Sequence, residues 1–188
     1  MNQNFYDAIV DTPIIAAVKD WKGLEMCLLL DIKVVFVLFG DICNISQITD
    51  QLKAAEKIVM VHMDLITGLN SKEIAVDFIQ KNTKADGIIS TRQNIIKRGK
   101  DLSMFTIFRF FVIDSMAINS IERQQGTVKA DFIEILPGVM PKIISKICKN
   151  SATPVIVGGL ITDKEDVMMA LDAGAIAIST TNQDVWKM

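Results

Sequence analysis

Two short strings carry the most specific chemistry in the chain: VGGLI at 157–161 and STT at 179–181. Each follows an apolar run and leads toward a helix. Glycines let a backbone approach an oxyanion, and helix N-terminal N–H groups then point at it, so the pair reads as a phosphate-monoester site. Its candidates are Gly158, Gly159, Ser179 and Thr180. The plainer alternative is that the glycines only make a tight turn and Ser179 only caps a helix. His62 is the single histidine, and Asp64 follows at i+2, on the same face of a strand end. One histidine excludes a two-histidine metal site. A packed, hydrogen-bonded His62, with Asp64 touching a ligand hydroxyl or capping a loop, is preferred to an acid–base pair. Glu134 interrupts the apolar string FIEIL, and a carboxylate there must be paired or face a ligand. Lys19 and Arg109 are its candidate partners, unless it points outward.

Two basic groups stand out: Arg92, Lys97, Arg98 and Lys100, then Lys142, Lys146 and Lys149, whose spacing of 4 and 3 puts them on one helical face. Such runs are commonly solvated surface. They are nevertheless the candidates for contact with a nucleic-acid backbone. The total of 20 Lys+Arg against 22 Asp+Glu leaves a charge of -2, so a nucleic-acid partner would have to use a local patch.

These residues hang on a regular framework. Apolar, β-branched runs recur at 13–18, 34–39, 58–62, 87–90, 105–113, 132–136, 155–157 and 175–179. Each is too continuously apolar for a sheet with a wet face and suits parallel strands covered by helices. Helical patterns lie between them, as at 45–56 (Ile45, Ile48, Leu52, Ala55) and 163–173 (Val167, Ala170, Leu171). Ser46, Ser71 and Thr162 with Glu165 are the expected N-terminal caps. The methionines, Met26, Met60, Met168 and Met169 among them, are expected to pack in the core.

Eight units at roughly 23 residues each sit just below the usual size of a closed (β/α)8 barrel, so loops must be short. An open doubly wound sheet is the rival, but PIIAAVKD at 13–20 is not followed by a G-x-G-x-x-G loop. The expectation is therefore an α/β TIM-barrel-like fold, one compact domain over 1–188. A hydrophobic fraction of 50% excludes a disordered chain. Cys27, Cys43 and Cys148 are odd in number and far apart, arguing for reduced thiols in a cytoplasmic protein. The N-terminal residues lack a signal-peptide pattern, and charges interrupt every apolar stretch before it could span a membrane.

Taken together, PIIAAVKD at 13–20, VHMDLITGL at 61–69, DGIISTR at 86–92, RFFVIDS at 109–115, IEILPGVMPKII at 133–144, VGGLI at 157–161 and ALDAGAIAIST at 170–180 resemble one family. It is the glycerol-3-phosphate-responsive antiterminators of bacterial glycerol uptake operons, and the likeness runs in order along essentially the whole chain. The resemblance implies a cytoplasmic regulator rather than a catalyst, with no cofactor. Glycerol 3-phosphate would be its effector and leader mRNA its partner, so that effector binding prevents premature termination. Homo-oligomerisation is a further possibility. Lys19, Asp64, Arg109, Asp114, Glu134, Gly138, Gly158, Gly159, Ser179 and Thr180 occupy family-type positions, to which His62 is added as a ligand candidate. Two positions depart from the family: Arg92 stands where Lys is common, keeping charge but changing geometry, and Phe108 stands where Gln is usual.

Two other functions remain on the sequence alone. One is an isomerase- or lyase-type enzyme acting on a small phosphorylated metabolite, with His62 or Glu134 as general base and Lys19 as electrophilic stabiliser. The other is a phosphate-binding module whose partner is a protein.

Overall fold

The structure, a computed structural model, describes residues 3–188. Eight parallel strands close into a barrel in sequence order: β1 (Ile14–Val18), β2 (Val34–Val37), β3 (Ile58–His62), β4 (Gly87–Ser90), β5 (Phe105–Phe111), β6 (Phe132–Leu136), β7 (Val155–Gly158) and β8 (Ala177–Thr180). Closure is made by β1 and β8, with Ile14 opposite Ile178. Seven crossover helices surround them: α2 (Trp21–Leu29), α3 (Ile45–Ala54), α4 (Ile74–Asn82), α5 (Gln93–Asp101), α6 (Ser115–Thr127), α7 (Pro141–Asn150) and α8 (Lys164–Asp172). The eighth unit differs from expectation, because β8 is followed by a three-residue 3-10 turn, Val185–Lys187. No described helix is long and apolar enough to cross a membrane.

The remaining helix, α1 (Gln3–Asp11), precedes β1. Its Phe5 and Ile9 are fully buried and share one cluster with the inward residues of the barrel, including Phe36, Met60, Ile107 and Phe132. The Phe5 ring lies 4.9 Å from the rings of both Phe105 and Phe132. Phe105 begins β5 and Phe132 begins β6, so α1 plugs the N-terminal end of the barrel. Burying two such side chains contributes about 1.5–3 kcal/mol each. Nothing in the periodicity of α1 singles out this role.

Local details depart from the expected caps. Ser46 lies inside α3, which follows Asn44, and Ser71 precedes a helix that begins at Ile74 after Glu73. At α8 the cap is Asp163, whose carboxylate accepts the Asp166 N–H at 3.0 Å, and Thr162 donates to Asp166 rather than to Glu165. A serine or threonine is a cap only where the chain turns out of the helix, and tertiary packing moves that point by a few residues. Met60 is buried, but Met168 and Met169 lie on the outer surface of α8, 48% and 37% exposed. All three cysteines are free thiols. Burial of Cys27 pushes its thiol up to about 11.

Candidate functional site

Strand alternation builds the site. The inward residues Met60, Ile107, Phe132, Ile156 and Ala177 form an apolar layer. Two residues further along each strand come His62, Arg109, Glu134, Gly158 and Ser179, a polar layer at the C-terminal mouth. Polar groups can be buried there because each finds a partner: no buried side-chain nitrogen or oxygen among the described residues lacks one.

On one side of the mouth, Arg109 Nε donates to Glu134 Oε2 at 2.6 Å, and Ser179 Oγ donates to Glu134 Oε1 at 2.6 Å. Arg109 is thus the partner of Glu134, and Lys19 is exposed beyond the end of β1. Glu134 is on β6 and Ser179 on β8, so their bond crosses β7 at Gly158, which pairs with Ser179 in the sheet. A Cβ on Gly158 would lie 2.3 Å from Ser179 Oγ and 3.0 Å from Glu134 Oε1. Only glycine leaves room for this bond.

On the other side Asp64 gathers the end of β4. Its carboxylate accepts from Ser90 Oγ at 3.0 Å, from Thr91 N–H at 2.7 Å and Thr91 Oγ1 at 3.0 Å, and from Arg92 at 3.1 Å. Ser90 and Thr91 directly end the apolar run at 87–90, but the sequence does not say whom they meet. Asp64 N–H donates to His62 Nδ1 at 3.3 Å. A nitrogen that accepts carries no proton, so the neutral imidazole bears its hydrogen on Nε2. Burial first, then the Arg109 guanidinium, push the His62 imidazole down to about 3.

A cavity of about 300 Å³ opens beside the Arg109–Glu134–Ser179 group, at the small end of ligand-site volumes. Its walls include Arg109, Gly159, Thr162, Ser179, Thr180 and Asn182, with Ala17, Leu38 and Leu136 as apolar lining. Gly159 has φ +75° and Leu160 has φ +63°, so the chain after β7 turns through two left-handed residues. Thr180 Oγ1 donates to Ile161 O at 2.9 Å, and Asn182 Nδ2 donates to Thr162 O at 2.8 Å, tying the loops after β7 and β8 together. Gly138 stands behind this wall: it is buried, its N–H donates to Gly159 O at 3.0 Å, and a Cβ there would meet Ile161 at 2.8 Å. Asp114 caps α6 by accepting the Ala117 N–H at 2.9 Å. His62 and Asp64 share the mouth without lining this cavity. Among the described residues no group of three His, Cys, Asp or Glu side chains is placed to hold a metal.

The basic residues divide by their partners. Arg92 pairs with Asp64, Arg98 with Asp77 at 2.6 Å and Lys100 with Asp131 at 2.6 Å. The Arg98 guanidinium holds the Asp77 carboxyl below the usual range. Lys97 is exposed on α5. Lys142, Lys146 and Lys149 are exposed along α7 and make none of the ion pairs found among the described residues. A larger open groove of about 540 Å³ lies between α7 and α8, walled by Lys142, Ser145, Met169 and Asp172, none of which lines the mouth cavity.

A family model described as "Glycerol-3-phosphate responsive antiterminator" matches residues 14–186. The protein named "Uncharacterized protein YgcP" of Escherichia coli K12 is 40% identical over 176 residues, covering 94% of this chain and 92% of that one. Among solved structures, the glycerol uptake operon antiterminator regulatory protein of Listeria monocytogenes superposes with a TM-score of 0.90 at 36% identity, covering 94% of this chain and 95% of that one. A glycerol uptake operon antiterminator-related protein of Thermotoga maritima gives 0.82 at 33% identity, covering 93% of this chain and 98% of that one. Aldolases and an epimerase at 17% identity or less share the fold alone.

Proposed function

From the glycerol-3-phosphate-responsive antiterminator family, to which this chain belongs, we propose that it is an effector-gated RNA-binding regulator rather than an enzyme. Glycerol 3-phosphate is the effector and the leader mRNA of a glycerol-utilisation operon the partner, in the cytoplasm. The observation that carries this reading is the cavity at the mouth, where Arg109 faces the joined loops after β7 and β8. The phosphate sits against the Gly159 turn, Ser179 and Thr180, and the glycerol end lies toward Asp64 and His62. Lys19, exposed at the end of β1, adds charge at the rim. The enzyme reading is weakened by Glu134, whose two oxygens are both taken by Arg109 and Ser179, so it is not a free general base.

Calorimetric titration with glycerol 3-phosphate and with glycerol tests the effector. The ester binds and glycerol does not, and Gly159→Asp weakens the ester at least about tenfold, because it strains a φ of +75° and sets a carboxylate beside the anion. A Gly159→Asp protein that binds as the wild type does would remove the phosphate from this loop. Gating requires different effector affinities in two states, by loop ordering or a change of oligomer, so saturating effector must raise RNA affinity at fixed salt. Equal affinities with and without effector would end the gating idea.

For the RNA surface, the unpaired lysines of α7 are the stronger candidates, since Arg92, Arg98 and Lys100 already spend their charge on carboxylates. Replacing Lys142, Lys146 and Lys149 by alanine lowers the slope of log affinity against log salt by about 2, three phosphate contacts at roughly 0.7 each. An unchanged slope transfers the interface elsewhere, with Lys97 and its neighbours on α5 next in line.

A further inference from the structure

Resting on the reading that the mouth takes a phosphate ester, a finer statement concerns how the anion is held. Arg109 is 7% exposed, and one of its nitrogens is fixed: Nε donates to Glu134 Oε2. Glu134 is fully buried, and its second oxygen is held by Ser179 Oγ. Both carboxylate oxygens are thus engaged inside the protein, and neither is exposed at the cavity surface. What the carboxylate does is set the plane of a rigid, five-donor fork. The two terminal nitrogens of that fork belong to a residue that lines the cavity, beside Ser179, Thr180 and the Gly159 turn.

We propose that Arg109 is the anion anchor of this cavity, gripping two oxygens of a phosphate monoester through its Nη edge, with Glu134 and Ser179 as positioning residues. Three features support it. Glu134 cancels the guanidinium charge when no ligand is bound, so the group can stay buried without an isolated cation. Bidentate capture of an oxyanion needs a fixed planar donor pair, which lysine lacks. The glycine at 158 preserves the Ser179–Glu134 bond, the strut on which the fork rests.

The test titrates wild type, Arg109→Lys and Ser179→Ala with glycerol 3-phosphate and separately with inorganic phosphate, and records the melting temperature of each free protein. Arg109→Lys is expected to weaken both ligands by the same factor, at least tenfold, placing the loss on the anion. Ser179→Ala leaves Glu134 Oε1 without its donor and so lowers the melting temperature as well. It is expected to weaken both ligands three- to tenfold alone but no further when combined with Arg109→Lys, a dependence that neither direct contact nor a purely structural serine would give. Arg109→Lys binding glycerol 3-phosphate as tightly as wild type overturns the anchor and leaves the effector standing. Wild type that binds phosphate in an Arg109-dependent way but not glycerol 3-phosphate overturns the effector and leaves the anchor. Binding of neither ligand overturns both, and unchanged affinity in Ser179→Ala overturns the positioning role.

Discussion

Glu134→Ala is expected to lower the stability of the free protein by about 3–5 kcal/mol, the cost of leaving one partner of a buried ion pair uncompensated. For a chain of this size that is a fall in melting temperature on the order of 10 °C. The orphan is Arg109, 7% exposed, with its Nε aimed at an empty position, and Ser179 Oγ loses its acceptor as well. Urea denaturation of wild type and variant measures it. A double replacement, Arg109→Met with Glu134→Leu, should recover much of the loss, because burying two apolar side chains avoids the desolvation of both charges. It should recover no phosphate binding. That contrast separates what the pair does for folding from what it does for the ligand. A Glu134→Ala protein within about 1 kcal/mol of wild type would mean that water entering the mouth solvates Arg109 fully, and the ion pair would lose its structural role.

His62 is expected to make the protein acid-sensitive in a defined window. Its imidazole titrates near 3 when folded and near 6.5 when unfolded. Above pH 6.5 both states are neutral there and the full stability is present. As pH falls from 6.5 toward 3, the unfolded chain takes up a proton that the native state refuses, and stability is lost at about 1.4 kcal/mol per pH unit. Between pH 7 and pH 5 the loss is about 2 kcal/mol, above the range where most carboxylates protonate. Below that range Asp77, held down by Arg98, and Asp166, held down by Thr162, add losses of the same sign. Denaturation midpoints of wild type and His62→Gln at several pH values isolate the histidine. The variant should be nearly flat from pH 7 to 5. Parallel curves for the two proteins would place the acid sensitivity in other groups.

Much of the framework was legible because burial on both faces leaves an unmistakable mark on a strand. The runs 58–62, 87–90 and 132–136 coincide with β3, β4 and β6 to the residue, and the others stray by one or two positions at their ends. The overrun at 105–113 is instructive: β5 ends at Phe111, which pairs with Leu136, while Ile113 beyond it is apolar but 89% exposed, so composition alone carried the strand past its last sheet partner. Closure followed from eight even units and the absence of a glycine-rich loop, and the structure closes β1 onto β8. The α1 plug was not legible, since an amphipathic nine-residue helix carries no sign of which surface it will cover.

By itself the sequence determined which residue types would be gathered at the barrel mouth. A period of two along a strand, and a common direction for all strands, carry His62, Arg109, Glu134 and Ser179 to one end whatever the loops do. It could not determine their partners. Whether Glu134 meets Lys19 or Arg109 depends on the stagger between neighbouring strands, which places Arg109 beside Glu134 and leaves Lys19 in solvent. The same stagger puts Gly158 under the Ser179–Glu134 bond, turning a residue that looked like a turn former into the gap that lets two side chains meet across a strand. Pairing distance is a property of the closed sheet, and no local pattern encodes it.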